Sequence, residues 1–94
     1  MASKFVRTAQ GTTYAALDSS INSDAFVTIM NDSGVVLRFT TAVSVSDANA
    51  EDTAGRYMPL ASSASVVWKF RCNPSTTFVK TETGGANPRI HIDY

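Results

Sequence analysis

The stretch Val66-Val67-Trp68-Lys69-Phe70-Arg71-Cys72 sets Val66, Trp68, Phe70 and Cys72 at alternate positions, with Val67, Lys69 and Arg71 between them. Successive side chains of an extended strand point to opposite faces, so this run has one apolar face and one face for water or a partner. The same period returns at the C-terminus, where Ile90, Ile92 and Tyr94 alternate with Arg89, His91 and Asp93. An amphipathic helix needs apolar residues three and four apart, and no stretch of useful length carries that spacing.

Outward from these segments, Phe26-Val27-Thr28-Ile29-Met30 runs into Asn31-Asp32-Ser33-Gly34 and then Val35-Val36-Leu37-Arg38-Phe39. Asn, Asp and Ser form local side-chain turns and Gly accepts positive φ, so the two apolar runs read as an antiparallel hairpin. Within the second run, Val35, Leu37 and Phe39 share a face. A short strand is expected over Ala42–Val45, then a polar loop over Ser46–Gly55 with room for a helical turn. Arg56–Leu60 reads as extended, with Pro59 marking an edge or a strand end. Asn73-Pro74-Ser75 is a turn, Thr77–Thr81 a strand, and Glu82–Pro88 a loop by composition. Lys4–Arg7 reads either as a strand or as an extended arm, and Thr12–Leu17 either as a strand or as the start of a short helix.

Seven or eight short strands separated by turn residues predict an all-β fold, a small antiparallel β-sandwich or barrel. The 94 residues make one domain, 1–94, with 1–24 as the segment that could stand out as an arm. The expected core is Phe26 or Val27 with Ile29, then Leu37, Phe39, Val43, Val45, Val66, Trp68, Phe70, Phe78, Ile90 and Ile92.

Charged residues make up 17 % of the chain, against roughly 25 % in an average soluble domain. Eight basic and eight acidic side chains cancel. Nucleic-acid binders carry a basic excess or stripe, and Lys69 with Arg71 on one strand face does not make a phosphate track, so no nucleic-acid partner is expected. The single cysteine, Cys72, cannot form an internal disulfide. Met1–Arg7 lacks the apolar run of a signal peptide, and no stretch approaches the roughly 20 apolar residues of a membrane span. The expectation is a chain made and folded in a cytoplasm, with no membrane partner.

The residues that could carry chemistry are few. His91 is the one histidine, placed by alternation on the outer face of its strand, and no Gly-x-Ser-x-Gly elbow accompanies it. Cys72 shares a face with Trp68 and Phe70 and reads as a small apolar core residue. Asp47-Ala48-Asn49-Ala50-Glu51-Asp52 spaces oxygen ligands as part of a calcium loop does, but lacks the Gly at the sixth position and the Glu at the twelfth. Gly84-Gly85 has no lysine anchor for a phosphate. Trp68, Tyr57, Tyr14 and Tyr94 could form an aromatic sugar platform; Trp68 on the apolar face reads instead as core, which leaves the tyrosines for an interface. No catalytic, cofactor-binding or metal-ligating residue is expected, and no enzymatic activity.

The order Ala25–Leu37 around a Ser-Gly turn, then Tyr57-Met58-Pro59-Leu60-Ala61, Val66-Val67-Trp68-Lys69-Phe70 and Phe78-Val79-Lys80 resembles small tailed-phage virion proteins. The likeness is to the decoration or cement proteins that stud capsid shells, and it spans residues 25–94. It implies a jelly-roll-like β-sandwich, assembled as a homotrimer, that binds the major capsid protein across subunit junctions on the virion surface and performs no chemistry. The sequence itself nominates contact residues: Lys4, Phe5 and Arg7 in the arm Ser3–Arg7, then Tyr57, Met58 and Tyr94. The competing expectation is a receptor- or carbohydrate-binding module of a tail fibre, which calls for exposed aromatic residues grouped on one face.

Overall fold

The computed structural model describes residues 3–7 (backbone), 12–63, 67–83 and 89–93. Eight strands and one helix follow in order: β1 (Ser3–Arg7), β2 (Ala15–Ala16), β3 (Ala25–Met30), β4 (Leu37–Thr41), α1 (Val45–Thr53), β5 (Met58–Leu60), β6 (Trp68–Cys72), β7 (Thr77–Thr81) and β8 (Arg89–Asp93). They form two four-stranded sheets, the first ordered β1-β8-β3-β6 and the second β2-β7-β4-β5. Every pairing is antiparallel.

The order is that of a chain folded as one long hairpin about the β4–β5 connection. Its nested pairs are β4 with β5, β3 with β6, β2 with β7 and β1 with β8. Successive pairs fall alternately in one sheet and the other, which wraps the hairpin into an eight-stranded jelly roll.

Period-two patterning explains the layers. In β3, Ala25, Val27 and Ile29 are buried while Phe26, Thr28 and Met30 point outward. In β8, Ile90 and Ile92 are buried between half-buried Arg89, His91 and Asp93. From the facing sheet, Leu37, Phe39, Leu60 and Val79 complete the core. Leu17 and Ile21 from the β2–β3 connection close one end of it. β7 is buried on both faces because it is central and because its outer side is covered: Phe78 packs with Tyr14, Ala42 and Ala48 in a second, smaller cluster beneath α1.

Several sequence expectations change. The segments on either side of Asn31–Gly34 do not pair; β3 and β4 lie in different sheets. Asn31 is the reason. Its buried Nδ2 donates to Val35 O and to Leu60 O, each at 2.9 Å, and its Oδ1 accepts from the Ser33 N–H at 3.2 Å. The polar turn thus ties the end of β3 to the edge strand of the other sheet, and Gly34 takes φ +84° as the chain crosses. Ala42–Val45 is not a strand: β4 stops at Thr41, and Ser44 caps the helix, its hydroxyl accepting from the Asp47 N–H at 3.1 Å. Asp47 returns the bond through Oδ2, which accepts from the Val43 N–H. The expected polar loop is therefore a nine-residue helix with one buried side chain, Ala48. Its apolar face is too narrow to show as a helical period.

Val43 and Val45 leave the core in consequence, Val43 standing 83 % exposed. Trp68 leaves it too, at 42 % exposure, because β6 is an edge strand and Trp68 begins it. Between the two candidates in β3, Val27 is inside and Phe26 outside. Of the two readings of Lys4–Arg7, the strand is the one adopted, paired in register with Asp93–Arg89 of β8. Val66, Gly84, Gly85 and Tyr94 lie outside the described residues.

Candidate functional site

Strands β5 and β6 are the edges of different sheets, and they lie along the same side of the sandwich. Between them opens a cleft of about 360 Å³. Phe39 and Phe70 form its floor, packed edge to face with ring centres 6.0 Å apart. Cys72 and Thr77 line one end, and Tyr57, Met58, Arg56 and Arg71 make the rim. Met58 is 46 % exposed, and Trp68, on the same face of β6 as Phe70, continues the apolar surface along that strand.

The rim is braced from beneath the helix. Arg38, outward on β4, places its guanidinium 4.3 Å from the centre of the Tyr57 ring. Its Nη1 donates to both Asp52 oxygens, at 3.1 and 3.3 Å, and its Nη2 to Glu82 Oε1 at 2.8 Å. Asp52 also accepts from the Tyr14 hydroxyl at 2.8 Å and from Lys80 Nζ at 3.4 Å. Burial acts to raise the Asp52 pKa, but hydrogen bonds from Tyr14 and Arg38 and the charge of Lys80 outweigh it and hold the carboxyl below its ordinary value. Burial, reinforced by the bond to Asp52, pushes the Tyr14 phenol well above its ordinary value. Arg56, on the rim, is held by Glu51, whose carboxyl it lowers.

The side chains singled out from sequence for possible chemistry stand apart from one another. Burial raises the Cys72 thiol, the opposite of what activates a cysteine. His91 stands opposite Thr28 on the outer face of the first sheet, 3.3 Å from Asp93, whereas Cys72 is in register with inward-facing Ala25. The sheet therefore separates thiol from imidazole. The carboxylates that resembled a calcium loop are dispersed around α1: Asp47 on the cap, Glu51 on Arg56, Asp52 on Arg38 and Tyr14. Among the described residues no group of three or more His, Cys, Asp or Glu side chains could hold a metal ion. No described helix is long and apolar enough to cross a membrane.

Of the contact residues nominated from sequence, Tyr57 and Met58 lie together on the cleft rim. Lys4, Phe5 and Arg7 belong to β1, at the opposite edge of the first sheet from β6, so they are not brought to the same place. Tyr14 is buried and unavailable to a partner. The sequence reading missed Phe39, Phe70 and Arg71 as cleft residues. Two signals point to them: Pro59 marks one edge strand, and the exposed cations of Trp68-Lys69-Phe70-Arg71 mark the other. No family model, no curated protein and no solved structure matches this chain.

Proposed function

We propose that the protein is a non-enzymatic structural component of a phage particle, a capsid decoration or cement protein. It binds the major capsid protein across subunit junctions on the shell surface and assembles there as a homotrimer. The observation that carries the reading is the open apolar edge between β5 and β6, where Met58 and, one strand repeat from Phe70, Trp68 stand exposed beside a Phe39–Phe70 floor. An exposed apolar cluster rimmed by polar groups is the usual mark of a protein contact surface. The jelly roll is compatible, since that architecture serves many capsid proteins, though it serves lectins as well. Clamping of this kind needs only modest contacts, because a repeating shell multiplies them.

Light scattering and co-sedimentation with emptied tailed-phage shells test the reading. It expects a trimer, saturable binding at a fixed ratio to capsid subunits, and a raised melting temperature of the loaded shell. A strict monomer that leaves every shell unbound and unstabilised overturns it.

One observation favours a second reading, a receptor- or carbohydrate-binding module of a tail fibre. Trp68 is half exposed rather than buried, as a sugar-stacking ring must be. Quenching of Trp68 fluorescence by simple sugars at millimolar concentration, with no shell binding, would select it.

A further inference from the structure

A sandwich of two open sheets has four edges, and this one treats them unequally. β2 has two residues, and β5 has three with Pro59 in the middle. Short length and proline are both standard defences against strand addition. β1 (Ser3–Arg7) and β6 (Trp68–Cys72) each have five residues and no proline, and among the described residues no strand lies on the outer side of either. Of these two longer edges, β6 is the one whose residues line the open cleft.

The charges on β6 decide what can pair there. Lys69 and Arg71 are exposed on its outer face and form no ion pair among the described residues. If two copies joined β6 to β6 antiparallel about Phe70, Lys69 of each would face Arg71 of the other. Like charges directly opposite in a sheet are destabilising, so the edge resists a second copy of itself. A strand with carboxylates at alternate positions turns both repulsions into attractions. Its intervening side chains, if apolar, fall on the face shared by Trp68, Phe70 and Cys72, over the mouth of the cleft.

The geometry points to β6 as an acceptor edge for strand addition by an extended partner segment that alternates acidic and apolar residues. The segment extends the first sheet by one strand, and its apolar side chains cover Phe70 and Met58. Main-chain pairing supplies the affinity, while the two cations and the cleft supply the selection. The inference deepens the reading of the β5–β6 edge as a contact surface, and its test separates the two.

The probe is an eight-residue peptide alternating Asp with Leu or Val, compared with the same peptide carrying Lys for Asp and with one N-methylated at every amide. Readouts are amide shifts, hydrogen exchange and Trp68 emission of the intact chain. The acidic peptide is expected to bind roughly fivefold or more tighter than the basic one and to slow exchange of β6 amides. The N-methylated peptide should not bind. Lys69→Glu with Arg71→Glu, both at exposed positions, should reverse the preference. Equal binding of acidic and basic peptides, binding that leaves β6 exchange unchanged, or no binding at all overturns the inference. Shell binding retained in full by the double variant also overturns it, while leaving the shell reading standing. Peptide binding as expected, without any shell binding, overturns the shell reading and leaves the inference standing.

Discussion

The Tyr14 hydroxyl donates to Asp52 Oδ1 at 2.8 Å, across 38 positions of sequence. The ring that makes this bond is only 1 % exposed. It joins the segment entering β2 to the helix in the β4–β5 connection. α1 buries only Ala48, so its attachment rests heavily on what Asp52 accepts. Tyr14→Phe keeps the ring and removes one hydrogen bond to a charged acceptor, a loss of about 1–2 kcal/mol. Asp52→Ala also strips Arg38 and Lys80 of their shared acceptor and should cost more, about 2–3 kcal/mol. Because both changes break the same bond, the double variant should fall short of their sum by about 1 kcal/mol. Urea midpoints of the four proteins check this, and full additivity would dissolve the proposed coupling.

The same network predicts a limb of acid instability. Asp52 and Glu51 are held below their ordinary pKa values in the folded chain. A depressed folded pKa contributes stability that is complete above the unfolded value and is lost as pH falls through the folded one. Stability should therefore hold from neutrality down to the ordinary carboxylate range and decline below it. Asp52→Asn should flatten that decline, at the cost of a lower plateau at pH 7. Urea melts from pH 7 to pH 2.5 measure both effects.

Tyr14 sets the matching limit on the alkaline side. Its phenol is raised above the ordinary 10.0 by burial and by Asp52. Stability that depends on the neutral phenol is complete below that value and fades as pH rises through the folded one. In a spectroscopic titration, one of the chain's three tyrosines should ionise only as the fold is lost, and Tyr14→Phe should remove that late step.

How much of this was legible in the sequence follows from what each residue answers to. Alternation in β3, β4 and β8 is enforced by burial on one face, so Ile29, Leu37, Phe39, Ile90 and Ile92 were readable as core, while Phe26 and Val27 stayed alternatives. Pairing was not readable. Asn31–Gly34 marks a reversal of direction, and a reversal serves a crossing between sheets as well as a hairpin within one. The choice lies with the Asn31 bond to Leu60, 29 positions away. The edge position of β6 was written only in Lys69 and Arg71, since the apolar alternation of Trp68 and Phe70 suits an edge strand and a central one equally. Of the contact site, Tyr57 and Met58 were nominated from the sequence, while Phe39 and Phe70 read as ordinary core because nothing local shows two edges parting above them.

That crossing can be tested directly. Asn31 is buried, and its side chain satisfies two carbonyls and one N–H. Asn31→Ala removes the buried bond to Leu60 O and the bond to the Ser33 N–H, and leaves Val35 O with the Ser33 hydroxyl alone, so it should cost about 2–4 kcal/mol. Asn31→Asp keeps the acceptor but turns the donor toward Val35 O and Leu60 O into a repelling oxygen, and should cost at least as much. Thermal melts rank the two, and a loss under 0.5 kcal/mol for either would remove Asn31 from its place as the latch between sheets.

Trp68 supplies the test that separates surface from core. A fully buried Trp truncated to Ala costs about 3–5 kcal/mol, and Ile92→Ala, at a position closed to solvent, should cost about 2–5. Trp68 is half open at the start of an edge strand, so Trp68→Ala should cost clearly less than Ile92→Ala. Its emission should be red-shifted and quenched by acrylamide in the free chain, since the residue is 42 % exposed. A partner laid over the β5–β6 edge should reverse both signals, and Trp68→Ala should weaken that partner more than it weakens the fold. The ratio of the two losses is the useful quantity. A ring retained for packing loses stability first, and a ring retained for contact loses binding first. Urea midpoints and the co-sedimentation affinity of the same variant give that ratio, and a Trp68→Ala protein as unstable as Ile92→Ala would return Trp68 to the core.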